Sequence, residues 1–158
     1  VVDGLLPGRN VYLFSTGTGL APFLSIVRDP CIYERFESVV LVHCVREIQE
    51  LAYKTFLQGT LHDHELVGPY ARERLIYVPT VTRQPYETTG RITELLESGR
   101  LAVLTNLPEL NGGTDRVMLC GSIAMTKDLG RILERRGLAP AEAGHGGHYL
   151  VERAFVER

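Results

Sequence analysis

A chain of 158 residues that is 44% apolar and 23% charged can bury a hydrophobic core as one domain, and its composition is far from that of disordered or fibrous proteins. A formal net charge of -2 excludes a general nucleic-acid binder, which needs a basic face to neutralise phosphates. The three cysteines, Cys31, Cys44 and Cys120, are odd in number and far apart, so they form neither a readable disulfide framework nor a metal site, and a reducing cytoplasm is the expected setting.

The N-terminus, Val1-Val2-Asp3-Gly4, lacks the basic and apolar regions of a signal peptide, and no apolar run is long enough to span a membrane. It opens without Met and approaches a strand by Asn10, as a domain excised from a longer protein would. Val11-Tyr12-Leu13-Phe14 is the first of five apolar runs rich in β-branched or aromatic residues. Leu20 to Arg28 follows as a helix, with Pro22 in its first turn, where a missing N–H costs nothing. Val39-Val40-Leu41-Val42 is the second strand, and Gln49 to Leu66 is a helix candidate. Leu75-Ile76-Tyr77-Val78 is the third strand, followed by a short helix over Ile92 to Glu97. Leu101 to Thr114, with Pro108 and Gly112-Gly113, reads as an irregular or partly helical connection. Val117-Met118-Leu119-Cys120 is the fourth strand. Ala124 to Arg136 then places Met125, Leu129, Ile132 and Leu133 on one helical face, with Ser122 as N-cap and Gly137 as stop. Tyr149-Leu150-Val151 is the fifth strand.

None of these runs alternates with polar residues, as expected of strands buried on both faces. Strands alternating with helices predict an α/β fold, a Rossmann-like doubly wound parallel sheet of about five strands with helices on both faces. Ligands of such sheets bind beyond the carboxyl ends of the strands. The segment after the first strand is Ser15-Thr16-Gly17-Thr18-Gly19-Leu20-Ala21-Pro22-Phe23. Its two glycines allow a sharp turn and close approach, and the helix start behind them offers free N–H groups to a pyrophosphate. Arg46 follows the second strand, Arg83 the third, and Arg91 stands just after Gly90. Three guanidinium forks at strand ends suit a phosphate, whereas an NAD site would carry an acid after the second strand. The fourth strand runs into Cys120-Gly121-Ser122, where glycine allows a flat ring to approach and a thiol packs as a small apolar group.

The pairs His62/His64 and His145/His148 have no third ligand at suitable spacing, so no metal is expected. Ser15 and Ser122 lack a readable His and Asp constellation, which disfavours a hydrolase.

Taken in order, Gly17 to Phe23, Val42-His43-Cys44-Val45-Arg46, Val81-Thr82-Arg83, Gly90-Arg91-Ile92-Thr93, Leu119-Cys120-Gly121-Ser122 and the terminal Val151 to Arg158 resemble bacterial ferredoxin (flavodoxin)-NADP reductases over nearly the whole chain. The resemblance implies that residues 1–158 form the NADP(H)-binding domain of an oxidoreductase, with the N-terminal FAD-binding domain absent from this chain. Thr16, Gly17, Thr18 and Gly19 would hold the pyrophosphate and Arg46, Arg83 and Arg91 the 2′-phosphate. Cys120, Gly121 and Ser122 would border the nicotinamide, and Ala154 and Phe155 would lie against the flavin. Cys120, Ala154 and Phe155 are thereby the residues expected at the hydride-transfer centre. NADP(H) and FAD are the implied cofactors, and ferredoxin or flavodoxin the implied partner, with no nucleic acid or membrane.

Ile123, Cys44, Gln84 and His145 depart from the family pattern, and its Arg-x-Tyr-Ser/Thr flavin motif occurs nowhere in the chain. Two further readings stay open: an electron-transfer module of another reductase of the same superfamily, and a nucleotide-binding regulatory module without redox work.

Overall fold

A computed structural model describes residues 2–153. The strands are β1 (Asn10–Thr16), β2 (Ser38–Val45), β3 (Leu75–Val81), β4 (Asp115–Cys120) and β5 (Tyr149–Val151). All pair in parallel, in the order β3-β2-β1-β4-β5. The chain therefore winds one way from β1 through β2 to β3, then returns to the other side of β1 for β4 and β5. The order reverses between β1 and β4, and the crevice beyond their carboxyl ends is the switch point of the sheet.

The helices are α1 (Leu20–Val27), α2 (Pro30–Arg35), α3 (Lys54–Gln58), α4 (Gly68–Arg74), α5 (Ile92–Glu97), α6 (Arg100–Thr105) and α7 (Ile123–Arg135). Side chains alternate across the sheet, so each strand feeds two cores. Val11, Leu13, Val39, Leu41, Met118 and Cys120 pack with Phe23 and Val27 of α1, Tyr33 of α2 and Ala71 of α4. Tyr12, Phe14, Val40, Val42, Val117 and Leu119 pack with Leu95 of α5, Leu101 of α6 and Leu129 and Leu133 of α7. Burial on both faces explains why the strands carry no polar alternation. At the outer edge of β3, Val81 donates its N–H outward to Thr88 O (3.1 Å). Strand alternation turns Tyr77 and Pro79 the same way, so the residue without an N–H stands on the unpaired edge.

One expectation is corrected. Gln49 to Leu66 is not one helix: it breaks into a 3-10 turn at Ile48–Glu50, α3, and a second 3-10 turn at Thr60–Asp63. The break falls at Gly59, whose φ of -137° and ψ of -74° are not helical. Helices α2 and α4 are additions, each opening on a proline in the first turn, where its missing N–H is harmless. Asp29 caps α2 by accepting from Cys31 N at 2.9 Å.

Candidate functional site

β1 ends at Thr16, and the 3-10 turn Gly17–Gly19 leads directly into α1. Two glycines in this turn are required for different reasons. Gly17 has φ +52°, a left-handed conformation, and a Cβ there would meet no atom within 4 Å. It is exposed at the switch point, with open space where a side chain would stand. Gly19 lies against the end of β4, where a Cβ would overlap the backbone carbonyl of Cys120. The turn is thus pressed against β4 below and open above, which suits a site that admits a ligand to backbone N–H groups.

The turn is tied to both flanking strands. Thr16 Oγ1 accepts from Ser122 N at 3.1 Å, which fixes the start of the β4–α7 turn beside it. A side chain at Gly121 would collide with that same Thr16 hydroxyl. Ser122 caps α7, its Oγ accepting from Met125 N at 3.2 Å. On the other side, Ser15 Oγ donates to Val42 O at 3.0 Å. His43 of β2 reaches under the turn, and its Nε2 lies 2.9 Å from Gly17 O. The imidazole is only 3% exposed. Burial pushes its pKa below the ordinary value, opposed by the hydrogen bond to Gly17 and by the Glu50 charge. A carbonyl oxygen only accepts, so the neutral ring carries its proton on Nε2. Nδ1 is left buried without a partner among the described residues.

The three arginines stand on segments that converge at the carboxyl ends of β2 and β3. Arg83 N donates to Arg46 O at 2.9 Å, and Thr82 N to Val45 O at 3.0 Å, so the loops leaving the two strands run side by side. Gln84 Oε1 strengthens this by accepting from Ile48 N at 2.6 Å. The third segment is drawn in at Gly90, whose carbonyl accepts from Thr80 Oγ1 at 2.7 Å and from the buried Cys44 thiol at 3.9 Å. Burial raises the pKa of that thiol, so it stays protonated. All three arginines are exposed, and none of their guanidinium groups pairs with a carboxylate among the described residues. A buried patch of Val45, Leu51 and Val81 supports these loops from beneath.

Cys120 lies at the end of β4 with its thiol fully buried in the core under α1. The exposed surface of this turn comes instead from Gly121, Ser122 and Ile123, the last 74% exposed. Ala154 and Phe155 lie outside the described residues. One histidine of each pair has structural employment: His64 Nδ1 accepts from Leu66 N and Val67 N, both at 3.2 Å, and His148 Nδ1 from Ala139 N at 2.9 Å. His43 is the residue that sequence reasoning passed over. Its signal was a polar residue inside an otherwise apolar strand end.

The residue pattern of the family described as "Oxidoreductase NAD-binding domain" matches residues 13–130. The chain is 49% identical over 159 aligned residues to a ferredoxin–NADP reductase of Pseudomonas aeruginosa, covering 100% of this chain and 62% of that protein. It is 51% identical to ferredoxin–NADP reductase A of Sorangium cellulosum, covering 98% of this chain and 56% of that protein. A crystal structure of a ferredoxin NADP+ reductase from Neisseria gonorrhoeae with bound FAD and NADP superposes with a TM-score of 0.83 at 30% identity, over 98% of this chain and 60% of that one. The chain therefore spans less than two thirds of the length of these relatives. The matched pattern covers most of the chain, and the turn after β1, the switch-point crevice and the α7 cap all fall within it: the chain belongs to the oxidoreductase NAD-binding domain family.

Proposed function

We propose that residues 1–158 are the NADP(H)-binding unit of a ferredoxin (flavodoxin)-NADP reductase that works in the cytoplasm. One observation carries the reading: an exposed glycine turn at the switch point lies at the same end of the sheet as three arginines whose guanidinium groups pair with no carboxylate among the described residues. Thr16, Gly17, Thr18 and Gly19 receive the pyrophosphate on backbone N–H groups at the start of α1. Arg46, Arg83 and Arg91 hold the 2′-phosphate, which a bidentate guanidinium fork recognises and a plain ribose hydroxyl does not engage. Gly121 and Ser122 border the nicotinamide ring, with Cys120 shaping the wall through its backbone.

FAD, when bound, would take hydride and pass on single electrons. The residues of this chain bind the dinucleotide, orient its ring and exclude water from beneath it. The one-electron partner is ferredoxin or flavodoxin. This rests on likeness to the Pseudomonas enzyme and to a flavodoxin/ferredoxin–NADP reductase of Rhodobacter capsulatus, 39% identical over 99% of this chain.

Titration calorimetry with NADP+ and NAD+ tests the reading. NADP+ binds more tightly by about tenfold or more, since charge-assisted hydrogen bonds to the 2′-phosphate outweigh solvent screening. Changing Arg46, Arg83 and Arg91 together to alanine removes the difference. Equal affinities for the wild-type chain overturn it.

A further inference from the structure

We propose that His43 is the positioning residue of the diphosphate-binding turn, holding the Gly17–Thr18 peptide with its carbonyl inward and its N–H outward. The inference rests on the dinucleotide reading above and adds to it the element that orients the backbone donor.

The argument is one of peptide geometry. The described residues contain no cis peptide bond, and in a trans peptide the carbonyl and the following N–H point in opposite directions. The Gly17 carbonyl is drawn to a buried ring, with Nε2 at 2.9 Å. The N–H of the same peptide, that of Thr18, is therefore aimed away from the buried side, on a turn whose Gly17 and Thr18 are both exposed. Rotating this peptide changes ψ of Gly17 and φ of Thr18, and on the Gly17 side there is no side chain to oppose the change, so a bond to the carbonyl is needed to fix it from that side. A rotated peptide would present a carbonyl oxygen to the phosphate in place of a donor, turning attraction into repulsion.

The ring is itself held in place. His43 stands on the central part of the sheet between β1 and β3, opposite Ser15 and Pro79 in register. The Ser15 hydroxyl binds the carbonyl of the preceding residue, Val42, at 3.0 Å. Because the ring's second nitrogen has no partner among the described residues, the bond to Gly17 is its one hydrogen-bonded attachment there.

The test compares two ligands on the same chain: NADP+, which carries the diphosphate, and adenosine 2′-phosphate, which does not. His43→Phe keeps a buried ring but removes the donor; NADP+ affinity should fall by about tenfold while adenosine 2′-phosphate binds as before. His43→Gln restores an N–H donor and should bring NADP+ to within about threefold of wild type. Unchanged NADP+ affinity in His43→Phe overturns the proposal, as does an equal loss for both ligands, which marks a general structural lesion. Should His43→Phe fail to fold, long-range proton–nitrogen spectra of the wild-type chain decide: a neutral ring protonated on Nε2 supports the proposal, and protonation on Nδ1 overturns it. If the wild-type chain binds adenosine 2′-phosphate and NADP+ equally well, the turn contributes nothing and His43 has no such role. If it binds neither ligand, the dinucleotide reading itself has failed.

Discussion

A buried imidazole with one hydrogen bond responds to acid in a direction that its surroundings dictate. Burial holds the folded-state pKa of His43 below the ordinary 6.5, so the unfolded chain takes up a proton more readily than the folded one. The stability His43 supports is therefore complete above pH 6.5 and is lost as the pH falls through the lower, folded-state value. Thermal melts between neutral pH and mild acid should show a decline that flattens in His43→Phe. A slope identical in the two proteins would assign the acid sensitivity to other groups. The three arginines contrast with this residue, because they lie in solvent and their positions after strand ends read directly from sequence. An Arg after a strand end is visible in a string of letters, whereas the inward reach of His43 depends on which face of β2 it occupies.

At the level of elements, the turn after β1 and the end of β4 form one packed unit. Gly19 has no room for a methyl group beside the Cys120 carbonyl, and backbone cannot yield as a side-chain tip can. Gly19→Ala should therefore cost about 2 kcal/mol or more in chemical denaturation and weaken nucleotide binding as well, since the turn must move off β4. Gly17→Ala has space for its methyl but not the backbone conformation, so its cost is of a different kind.

The strands were legible because burial on both faces leaves uninterrupted apolar runs, and each of the five falls inside or at the bounds of an observed strand. Helix α7 was legible from its apolar stripe, the Ser122 cap and Gly137, which has φ +83°. Helices α2 and α4 were not, since the prolines in their first turns resemble breaks. The glycine turn and arginine positions of the candidate site were legible for the same reason as the strands they follow. The ties between loops were not: Arg83 N to Arg46 O and Thr16 Oγ1 to Ser122 N join residues far apart in the chain.

For the molecule as a whole, two cores enclose the sheet, and the candidate site needs only residues at one end of it. The sequence contains no Arg-x-Tyr-Ser/Thr flavin motif, so the purified chain should be colourless and should not pass electrons from NADPH to an acceptor while still binding the nucleotide. A stoichiometric flavin absorbance would overturn this. Among the described residues no helix is long and apolar enough to cross a membrane.

The strand order also sets a timetable. β1 is central, and its Asn10 is bonded to Asp115 of β4 across 105 residues of sequence. At a synthesis rate of roughly 5–20 residues per second, β1 waits on the order of 5–20 s on the ribosome for that neighbour. During the interval β1, β2 and β3 can assemble with α1 to α4, but one side of β1 stays open to any strand that meets it. The nascent half-sheet is thus the stage at which this chain is most exposed to mispairing. Its other border, β3, already carries Pro79 where an incoming strand would look for an N–H.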